Sequence, residues 1–509
     1  MNWTNFALLL LFLAISAPSL AAERARDWFK LASPNFELYG NSRESEARHL
    51  LKELETFRYV VSRFLGLTNV QRRPALVYLF RDDASFRPYK PRYNGRPATI
   101  SGFHSEDPMD YVLALSRQER DASTMRVLFH EYTHLLTARQ FRDAPVWLHE
   151  GVAEVFSTFE GDDDRFNIGV AMTNHAYLLQ RQPPLPVASL LAVTRESRDY
   201  NEQSRAGPFY ASSWLLAHHL LFAKRGFESN VVARYAAACS TTTNQLLAFQ
   251  SAFGVAPRLL DQALAAYVRG GSYTLVRQTY PDLEVAKARA VDLSPGEVDY
   301  ALGRLLQMTQ QDDDAKERLE AAARRAPKDA RPHEALSLLA WRHNDREALR
   351  THTSRALDAR SDNAFLYFLA AETLYQDLQH KRSETGAPIS DDDDLETGRK
   401  YCQRALELDP WLAPAHHLLG VYVLTQNPRA PALAMPHIQR ALRSDPGYKP
   451  AHLTSASLLA AQGNFGLARQ ILARLLAGPL TPELRETARR IAEDIEKRNP
   501  AASRKPGTR

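Results

Sequence analysis

The chain has 509 residues, of which 44% are hydrophobic and 24% are charged. This length exceeds what one hydrophobic core normally holds, so we expect two or more domains, and the composition excludes a wholly disordered or fibrous protein. The net charge of +5 is small for the length and no basic stripe stands out, so nucleic acid is not an expected partner. The two cysteines, Cys239 and Cys402, cannot form a disulfide framework and are predicted to be separate thiols.

Residues 1–22 have the pattern of an export signal peptide. Phe6–Ile15 is an apolar run too short for a membrane span, and small residues follow it before the charges that start at Glu23. Cleavage is predicted after Ala21 or Ala22. An uncleaved anchor is the alternative, because no Lys or Arg precedes the apolar run. No later stretch reaches 18 apolar residues, so we expect no stable membrane span after cleavage and a periplasmic or secreted location.

Residues 23–285 are predicted to form one α+β domain. Three runs rich in β-forming residues predict strands at 35–39, 75–80 and 111–115. Apolar residues at helical spacing predict a long helix over 42–65, capped by Ser42. Further helices are predicted at 122–139, 146–159, 208–224, 228–239, 243–253 and 257–269.

From about residue 295 the chain changes to helix pairs rich in Ala and Leu. Equivalent helices end at spacings of 34, 49 and 36 residues, at Ala323, Leu357, Leu406 and Leu442. The long spacing contains an acidic stretch at 379–394, and removing about 15 residues restores a period of about 34. The four-Asp run 391–394 within it could suggest a cation site, but a solvated loop insertion is the preferred interpretation, because no Gly-spaced ligands follow.

The corner Gly463–Ala468 reads Gly-x-aromatic-x-x-Ala, and Leu302-Gly303 and Leu419-Gly420 lie in the first helices of their pairs. These residues resemble the tetratricopeptide repeat family over residues 295–480. The resemblance implies an all-α superhelix whose concave surface takes a protein or peptide partner. Residues 481–509 are predicted to form a capping helix and a frayed tail.

Chemistry is indicated by the segment His130-Glu131-Tyr132-Thr133-His134. Two histidines at positions i and i+4 lie on one helical face, where both imidazoles can reach one zinc ion. Glu131 lies beside them, where a carboxylate can take a proton from zinc-bound water. The sequence therefore predicts a zinc site on this helix, with one Zn²⁺ per chain.

A second helix, opening at Ala144-Pro145, carries Glu150 and Glu154 on one face of an otherwise apolar segment. Buried carboxylates are costly unless they bind a metal or a hydrogen-bond donor. Glu150 is predicted to be the third zinc ligand, and Glu154, one turn on, is predicted to accept the outer N–H of a ligating histidine.

The two motifs together, His-Glu-x-x-His and Trp-Leu-x-Glu-Gly-x-Ala-Glu, resemble the gluzincin metallopeptidases, most closely the peptidase MA-like group of exported proteins. The resemblance covers about residues 28–270. It implies a zincin-like α+β domain, zinc on His130, His134 and Glu150, and a peptide or protein substrate. It also implies that Tyr210, opening a helix, donates its hydroxyl to the oxyanion. Only 15 residues separate His134 from Glu150 here, fewer than in that family, so either Glu150 or Glu154 remains possible as third ligand.

Other residues near these motifs carry weaker interpretations. His149 is expected on the surface, and His218 and His219 are possible substrate-binding residues. The predicted strand 111–115 is interpreted as an edge strand that pairs with an extended peptide, which a proline at Val112 would prevent.

Two functions follow from these features. The first is an exported zinc-dependent metallopeptidase, an α+β zincin-like metallopeptidase domain followed by an all-α tetratricopeptide-repeat superhelix. In it, zinc activates water, Glu131 is the base, and the repeats bind protein or peptide. The alternative is a non-catalytic tetratricopeptide-repeat scaffold or adaptor with a vestigial zinc domain.

Overall fold

The structure is a computed structural model that describes residues 27–67, 73–116, 122–161, 165–194, 197–201, 203–222, 231–239, 242, 244–279, 289–386, 392–478 and 480–499. The predicted export signal and the end of the predicted tail lie outside these residues. Among the helices of the described part, none has the length and apolarity that a membrane span requires.

The described strands lie almost entirely in the first 300 residues. They are β1 Phe29–Ala32, β2 Phe36–Gly40, β3 Ala75–Phe80, β4 Arg92–Tyr93, β5 Arg96–Pro97, β6 Gly102–Glu106, β7 Tyr111–Ser116, β8 Glu160–Gly161, β9 Arg165–Ile168, β10 Val276–Thr279 and β11 Val291–Asp292.

Helices make up most of the described chain. The first eleven are α1 Glu44–Leu65, α2 Asp83–Phe86, α3 Ala122–Thr137, α4 Val146–Ser157, α5 Thr173–Arg181, α6 Val187–Ala192, α7 Arg198–Asn201, α8 Gln203–Phe222, α9 Val231–Cys239, α10 Gln245–Phe253 and α11 Pro257–Gly270. The others are α12 Pro295–Met308, α13 Asp312–Arg325, α14 Ala330–Arg342, α15 Arg346–Asp358, α16 Ala364–Thr385, α17 Asp392–Leu408, α18 Ala413–Gln426, α19 Met435–Ser444, α20 Lys449–Ala461, α21 Phe465–Ala477 and α22 Pro482–Arg498.

The main sheet has six described strands in the order β11-β1-β2-β3-β7-β6. β2, β3 and β7 run parallel, while the outer pairs are antiparallel. The interpretation of 111–115 as an edge strand is therefore wrong, since β7 pairs with β3 on one side and β6 on the other. All six of its residues are buried, which is typical of an internal strand. The edge strand on this side of the sheet is β6, which no sequence pattern predicted.

The two faces of the sheet are both apolar and pack against different partners. Val77 and Leu113 belong to a core shared with α1, α3 and α4, where Phe57 stacks on Phe129 with ring centroids 4.3 Å apart. The alternate residues, such as Tyr78, face the repeat helices. Because successive side chains of a strand point to opposite faces, one short strand can serve both cores. The long helix α1 is confirmed, but its N-cap is Arg43 and not Ser42.

The first repeat helix, α12, packs directly on the sheet. Leu302 and Leu305 are fully buried against the strand residues, and the Tyr78 hydroxyl donates to the Ala301 carbonyl at 2.9 Å. The chain passes into the repeats through β11, which pairs with β1 at one edge of the same sheet. The sheet and the start of the repeat array consequently share one core.

A buried ionic cluster lies at this junction. The Arg304 guanidinium is 1% exposed and contacts Asp107 at 2.7 Å and Asp110 at 2.9 Å. Its third donor reaches Gln307, whose amide donates to the Ala335 carbonyl. Burial alone would lower the pKa of Arg304, but the two carboxylates outweigh burial and raise it. α12, α14 and the turn between β6 and β7 are thereby joined through the side chains of Arg304 and Gln307.

Five helix pairs follow in the described residues from 295 to 477, which confirms the predicted repeat period. The first helices of the pairs start at 295, 330, 364, 413 and 449. Gly303 and Gly420 allow close packing within their pairs, since an added Cβ would lie 3.0 Å from Leu319 and 2.8 Å from Ile438. α22, capped by the Thr481 side chain, follows the last pair.

The long spacing between repeats is built differently from the predicted loop insertion. α16 and α17 are 22 and 17 residues long, so much of the additional sequence lengthens two helices. Asp392–Asp394 lie in the first turn of α17, where negative charge interacts favourably with the helix dipole. Asp391 lies outside the described residues. The two cysteines are buried, separate thiols, as predicted.

We expect Arg304→Met to destabilise the chain strongly, by about 3–5 kcal/mol, because it leaves Asp107 and Asp110 buried without their counter-ion. Arg325→Met is the matched control, since Arg325 pairs with Asp299 while its own side chain is 54% exposed. Thermal unfolding followed by circular dichroism measures both. Similar midpoints for the two variants would contradict the importance of the buried cluster.

Candidate metal centre

The structure brings His130, His134 and Glu150 together from two packed helices, α3 and α4. The histidines are one turn apart on α3, and Glu150 faces them from the second turn of α4. Gly151 allows the required packing of α4 on α8, because a Cβ at this position would lie 2.3 Å from the Ser213 carbonyl oxygen. Among the described residues, these three form the one group whose ligand atoms all lie within 4.8 Å of one another.

The distances between the three ligand atoms suit a zinc ion. The two Nε2 atoms are 3.1 Å apart, and Glu150 Oε2 lies 3.5 Å from that of His130 and 3.6 Å from that of His134. Tetrahedral ligands at ~2.0–2.1 Å from zinc are themselves about 3.3 Å apart. The three side chains therefore fit the ion with little rearrangement, and its binding stays a prediction.

Glu154 lies one turn further on, behind the three ligands. Its carboxylate is 3.7 Å from Nδ1 of His130 and 3.3 Å from Nε2 of His175. This geometry favours Glu150 for the third ligand and Glu154 for the residue that orients His130, as the sequence reasoning predicted.

The charges within the site stabilise one another. Burial alone would raise the pKa of Glu150, but hydrogen bonds from His130 and His134 hold it well below its usual range. Burial likewise would lower the pKa of His130, yet Glu150 and the charge of Glu154 raise it. The Tyr200 hydroxyl donates to the other Glu150 oxygen at 3.1 Å. The carboxylate of Glu150 is thus held ionised, which is the form that binds metal.

The two residues predicted to be catalytic both line the cleft in front of the cluster. Glu131 is 30% exposed and lies 3.5 Å from His104 on the edge strand β6. Tyr210 is half-buried, and burial together with the charge of Glu150 raises the pKa of its hydroxyl. Tyr210 does not open its helix, because α8 starts at Gln203 and Pro208 lies inside it.

The cleft has a volume of about 770 Å³, and one wall comes from the repeat array. Asp445, Pro446 and Gly447, in the turn between α19 and α20, lie across from the metal-ligand cluster. Sequence reasoning missed this wall and also missed His104, His175 and Tyr200. Each of these is a single polar residue outside any motif, and only the tertiary fold brings it to the site.

Three histidines do not fit their sequence interpretations. His149 is not on the open surface: it is half-buried and lines the cleft. His218 and His219 are buried and outside the cleft lining, so the expectation that they bind a substrate is wrong. His218 contacts the Gly169 carbonyl at 2.8 Å and the Tyr267 hydroxyl at 3.1 Å, both within the core of the N-terminal part.

Comparisons with known proteins find similarity to tetratricopeptide-repeat structures. No protein-family model matches the chain, and no curated protein matches it either. Among solved structures, YrrB, described as a TPR protein with an unusual peptide-binding site, is 16% identical; the match covers 38% of this chain and 90% of YrrB, with a TM-score of 0.29. PilF of Pseudomonas aeruginosa is 20% identical over 40% of this chain and 92% of its own, with a TM-score of 0.29. Yeast Tom70 is 15% identical over 75% and 83%, with a TM-score of 0.30.

These findings correct the first reading of the sequence. The structures named are tetratricopeptide-repeat proteins, no peptidase is among them, and no peptidase family model matches. The identification as a gluzincin-type metallopeptidase, and with it the assignment of an enzyme, is therefore wrong. What stands is a mostly helical chain with a tetratricopeptide-like array and a sheet near its N-terminus. The catalytic roles of Glu131 and Tyr210 depended on hydrolysis and are not carried further.

We expect His218 to make folding stability depend on pH. Burial is the main reason why its pKa falls to about 4, compared with an unfolded value of 6.5. Above pH 6.5 the His218 side chain is neutral in both the folded and the unfolded state. As the pH falls from 6.5 to about 4, the side chain binds a proton in the unfolded state but not in the folded state. The free energy of unfolding therefore decreases by about 3 kcal/mol over this range. Urea unfolding of wild type and His218→Gln across this range measures it. Equal pH slopes for the two proteins would contradict the assignment.

Proposed function

We propose that this chain is a non-catalytic interaction scaffold, in which a tetratricopeptide-like array binds a protein or peptide partner and the N-terminal part holds one zinc ion. The proposal takes up the second of the two functions that the sequence allows. Export through the N-terminal signal, to the periplasm or outside the cell, is part of the same proposal.

The observation that carries this proposal is the shared cleft. One wall of the cleft comes from α3 and α4, and the other comes from the inter-repeat turn 445–447. The N-terminal part and the repeats therefore form this concave site together. Ligand sites commonly lie in such clefts between structural units, with volumes of roughly 300–1,000 Å³. A segment bound here would contact both the metal-ligand cluster and the repeats.

The repeat architecture supports a protein or peptide partner. Stacked helix pairs form extended curved surfaces that repeat proteins use for binding. YrrB, the similar structure described as having a peptide-binding site, is consistent with this class of partner for the present chain.

The N-terminal part fits zinc through its donor set. His130, His134 and Glu150 would hold the ion, and Glu154 would orient His130. Three protein ligands leave one position open toward the cleft, so a bound zinc ion would supply a Lewis-acidic site that can accept a donor atom from a partner. The ion would also join α3 to α4 at the wall of the cleft.

Zinc content tests the metal part of the proposal. We expect about one zinc per chain in the purified protein by elemental analysis, and much less in Glu150→Ala, which loses a ligand. Glu154→Gln should keep the site but weaken zinc binding by about 10–100-fold, because it loosens the orientation of His130. Glu131→Gln is the matched control and should retain zinc. A wild-type chain without zinc after reconstitution would contradict the site, and full zinc in Glu150→Ala would transfer the ligand role to Glu154.

Peptide selection tests the scaffold part. We expect peptides selected from a random phage library on the zinc-loaded full chain to slow hydrogen exchange in β6, at the end of α3 and in the turn 445–447. Gly447→Trp should fill the cleft and weaken their binding by about tenfold or more, equivalent to at least ~1.4 kcal/mol. Gly466→Trp is the matched control, since nothing lies within 4 Å of a Cβ built at Gly466.

The same experiment tests the absence of catalysis. The selected peptides should be recovered intact by mass spectrometry after prolonged incubation with the zinc-loaded chain. Zinc-dependent cleavage would show that the non-catalytic proposal is wrong, and unchanged binding to Gly447→Trp would show that the cleft is not the binding site.

A further inference from the structure

A second cavity lies beside the cleft, along the line where the N-terminal part meets the repeats. We call it the seam pocket; its volume is about 500 Å³. Its walls are the turn between β6 and β7, the end of α3, and the two inter-repeat turns that precede α16 and α18. The seam pocket and the cleft share four lining residues, Glu106, Tyr111, Leu135 and Ala138, so the two cavities are continuous.

Carboxylates dominate the charged groups of the seam pocket. Six of them line it: Glu106, Asp107, Asp110, Asp362, Glu407 and Asp409. Two lining guanidiniums oppose them, Arg73 and Arg139, and the buried Arg304 behind the wall is shared by Asp107 and Asp110. Arg404, on the same helix, also pairs with Glu407 at 2.8 Å. The six carboxylates still outnumber these four counter-ions, so the pocket favours a cationic ligand.

The carboxylates are spread over the walls and do not converge on a point. Within the described residues, the ligand atoms that cluster tightly enough for a metal ion are those of His130, His134 and Glu150, not those of the seam pocket. A bare divalent cation needs several oxygens at 2.0–2.6 Å. The arrangement instead suits a longer cation that carries several hydrogen-bond donors, such as a Lys or Arg side chain.

One buried polar atom points independently to a ligand. Tyr111 is 3% exposed, and its hydroxyl has no hydrogen-bond partner among the described residues. Tyr111 lines both the cleft and the seam pocket, so it lies where the two cavities join. Burial raises the pKa of its hydroxyl, and the charges of Glu131 and Glu106 raise it further. An unsatisfied buried hydroxyl is destabilising, and a donor or acceptor from a bound partner would satisfy it.

Apolar side chains complete the walls. Leu135 from α3, Phe365 from α16 and Leu412 from the turn before α18 line the pocket beside the carboxylates. The aliphatic stem of a long basic side chain packs on such a surface while its charged end reaches the acidic groups.

We propose that the seam pocket binds a Lys or Arg side chain of an extended basic segment in the partner protein, whose backbone continues into the cleft. This inference rests on the proposed scaffold function and adds the chemistry by which the partner is recognised. The positive charge is supplied by the partner, and the acidic turns of the repeats select it.

The test uses three fluorescein-labelled decapeptides of Gly, Ala and Ser that are identical except at two adjacent positions, which are Lys, Gln or Glu. Their binding to the zinc-loaded full chain is measured by fluorescence anisotropy at low ionic strength. We expect the Lys peptide to bind about tenfold or more tightly than the Glu peptide, with the Gln peptide between them. The preference should shrink in high salt, because partly exposed charges are screened.

Two seam variants and one control identify the pocket. The double variant Asp362→Lys with Glu407→Lys reverses two exposed lining charges and should remove the preference for the Lys peptide. Tyr111→Phe should weaken binding of the Lys peptide about threefold or more. The midpoint of thermal unfolding should stay unchanged or rise, because the substitution deletes an unsatisfied buried group. Asp313→Lys with Glu317→Lys makes the same change of net charge on exposed residues of α13 and should bind all peptides as wild type does.

The outcomes separate this inference from the scaffold proposal. Equal binding of the three peptides would overturn the inference while the scaffold proposal stands. A Lys preference that survives in the double seam variant would overturn it as well. Binding of none of the three peptides by the zinc-loaded chain would overturn both the inference and the peptide-binding part of the proposed function.

Discussion

The architecture depends on one sheet being buried on both faces. Its inner strands β3 and β7 are buried along their whole length, so they need a helical layer on each side, and the repeat array supplies the second layer. Arg304 fixes the orientation of that second layer, because a guanidinium buried at 1% exposure is tolerable only where Asp107 and Asp110 meet it with good geometry. The position of α12 against the β6–β7 turn follows from this contact, and every later repeat is stacked on α12 in succession. The cleft and the seam pocket are consequences of where that stack places its inter-repeat turns.

Sequence patterns predicted the strands and helices whose formation depends on residues close together in the chain. The strands 75–80 and 111–115, helix α1, the helices of the metal centre and the repeat period all carry periodic signals within a few turns of chain, and the structure has each of them. The proximity of Glu150 and Glu154 to His130 could be predicted because a buried acidic residue on an apolar helix requires a partner. The predictions that were wrong depend on contacts between residues far apart in the sequence. β6 has no alternating pattern, so the edge of the sheet was assigned to β7, and His218 was assigned to a site although its partners are Gly169 and Tyr267 in the core.

The family assignment failed for a related reason. A short motif predicts which side chains lie close together, and the geometry of His130, His134 and Glu150 agrees with that prediction. The motif does not predict what chemistry the site performs, since function depends on all the residues around the site and on which molecules can reach it. The wall opposite the cluster is a repeat turn that the motif could not reveal. Metal binding and catalysis are therefore separate questions for this chain, and the local geometry bears only on the first.

The contacts between the repeats and the N-terminal part differ in strength along the seam. Near α12 they are buried, with the apolar core of the sheet and the Arg304 cluster. Near the cleft they include a part-exposed ion pair, Arg139 with Asp409 at 3.0 Å, and the Arg142 guanidinium over Trp411 at 5.2 Å. Contacts of these two kinds contribute only about 1 kcal/mol each. A partner in the proposed cleft and seam pocket would compete with weak contacts and leave the strong ones intact, so the same repeat stack could be held at its base and accept a ligand at its turns.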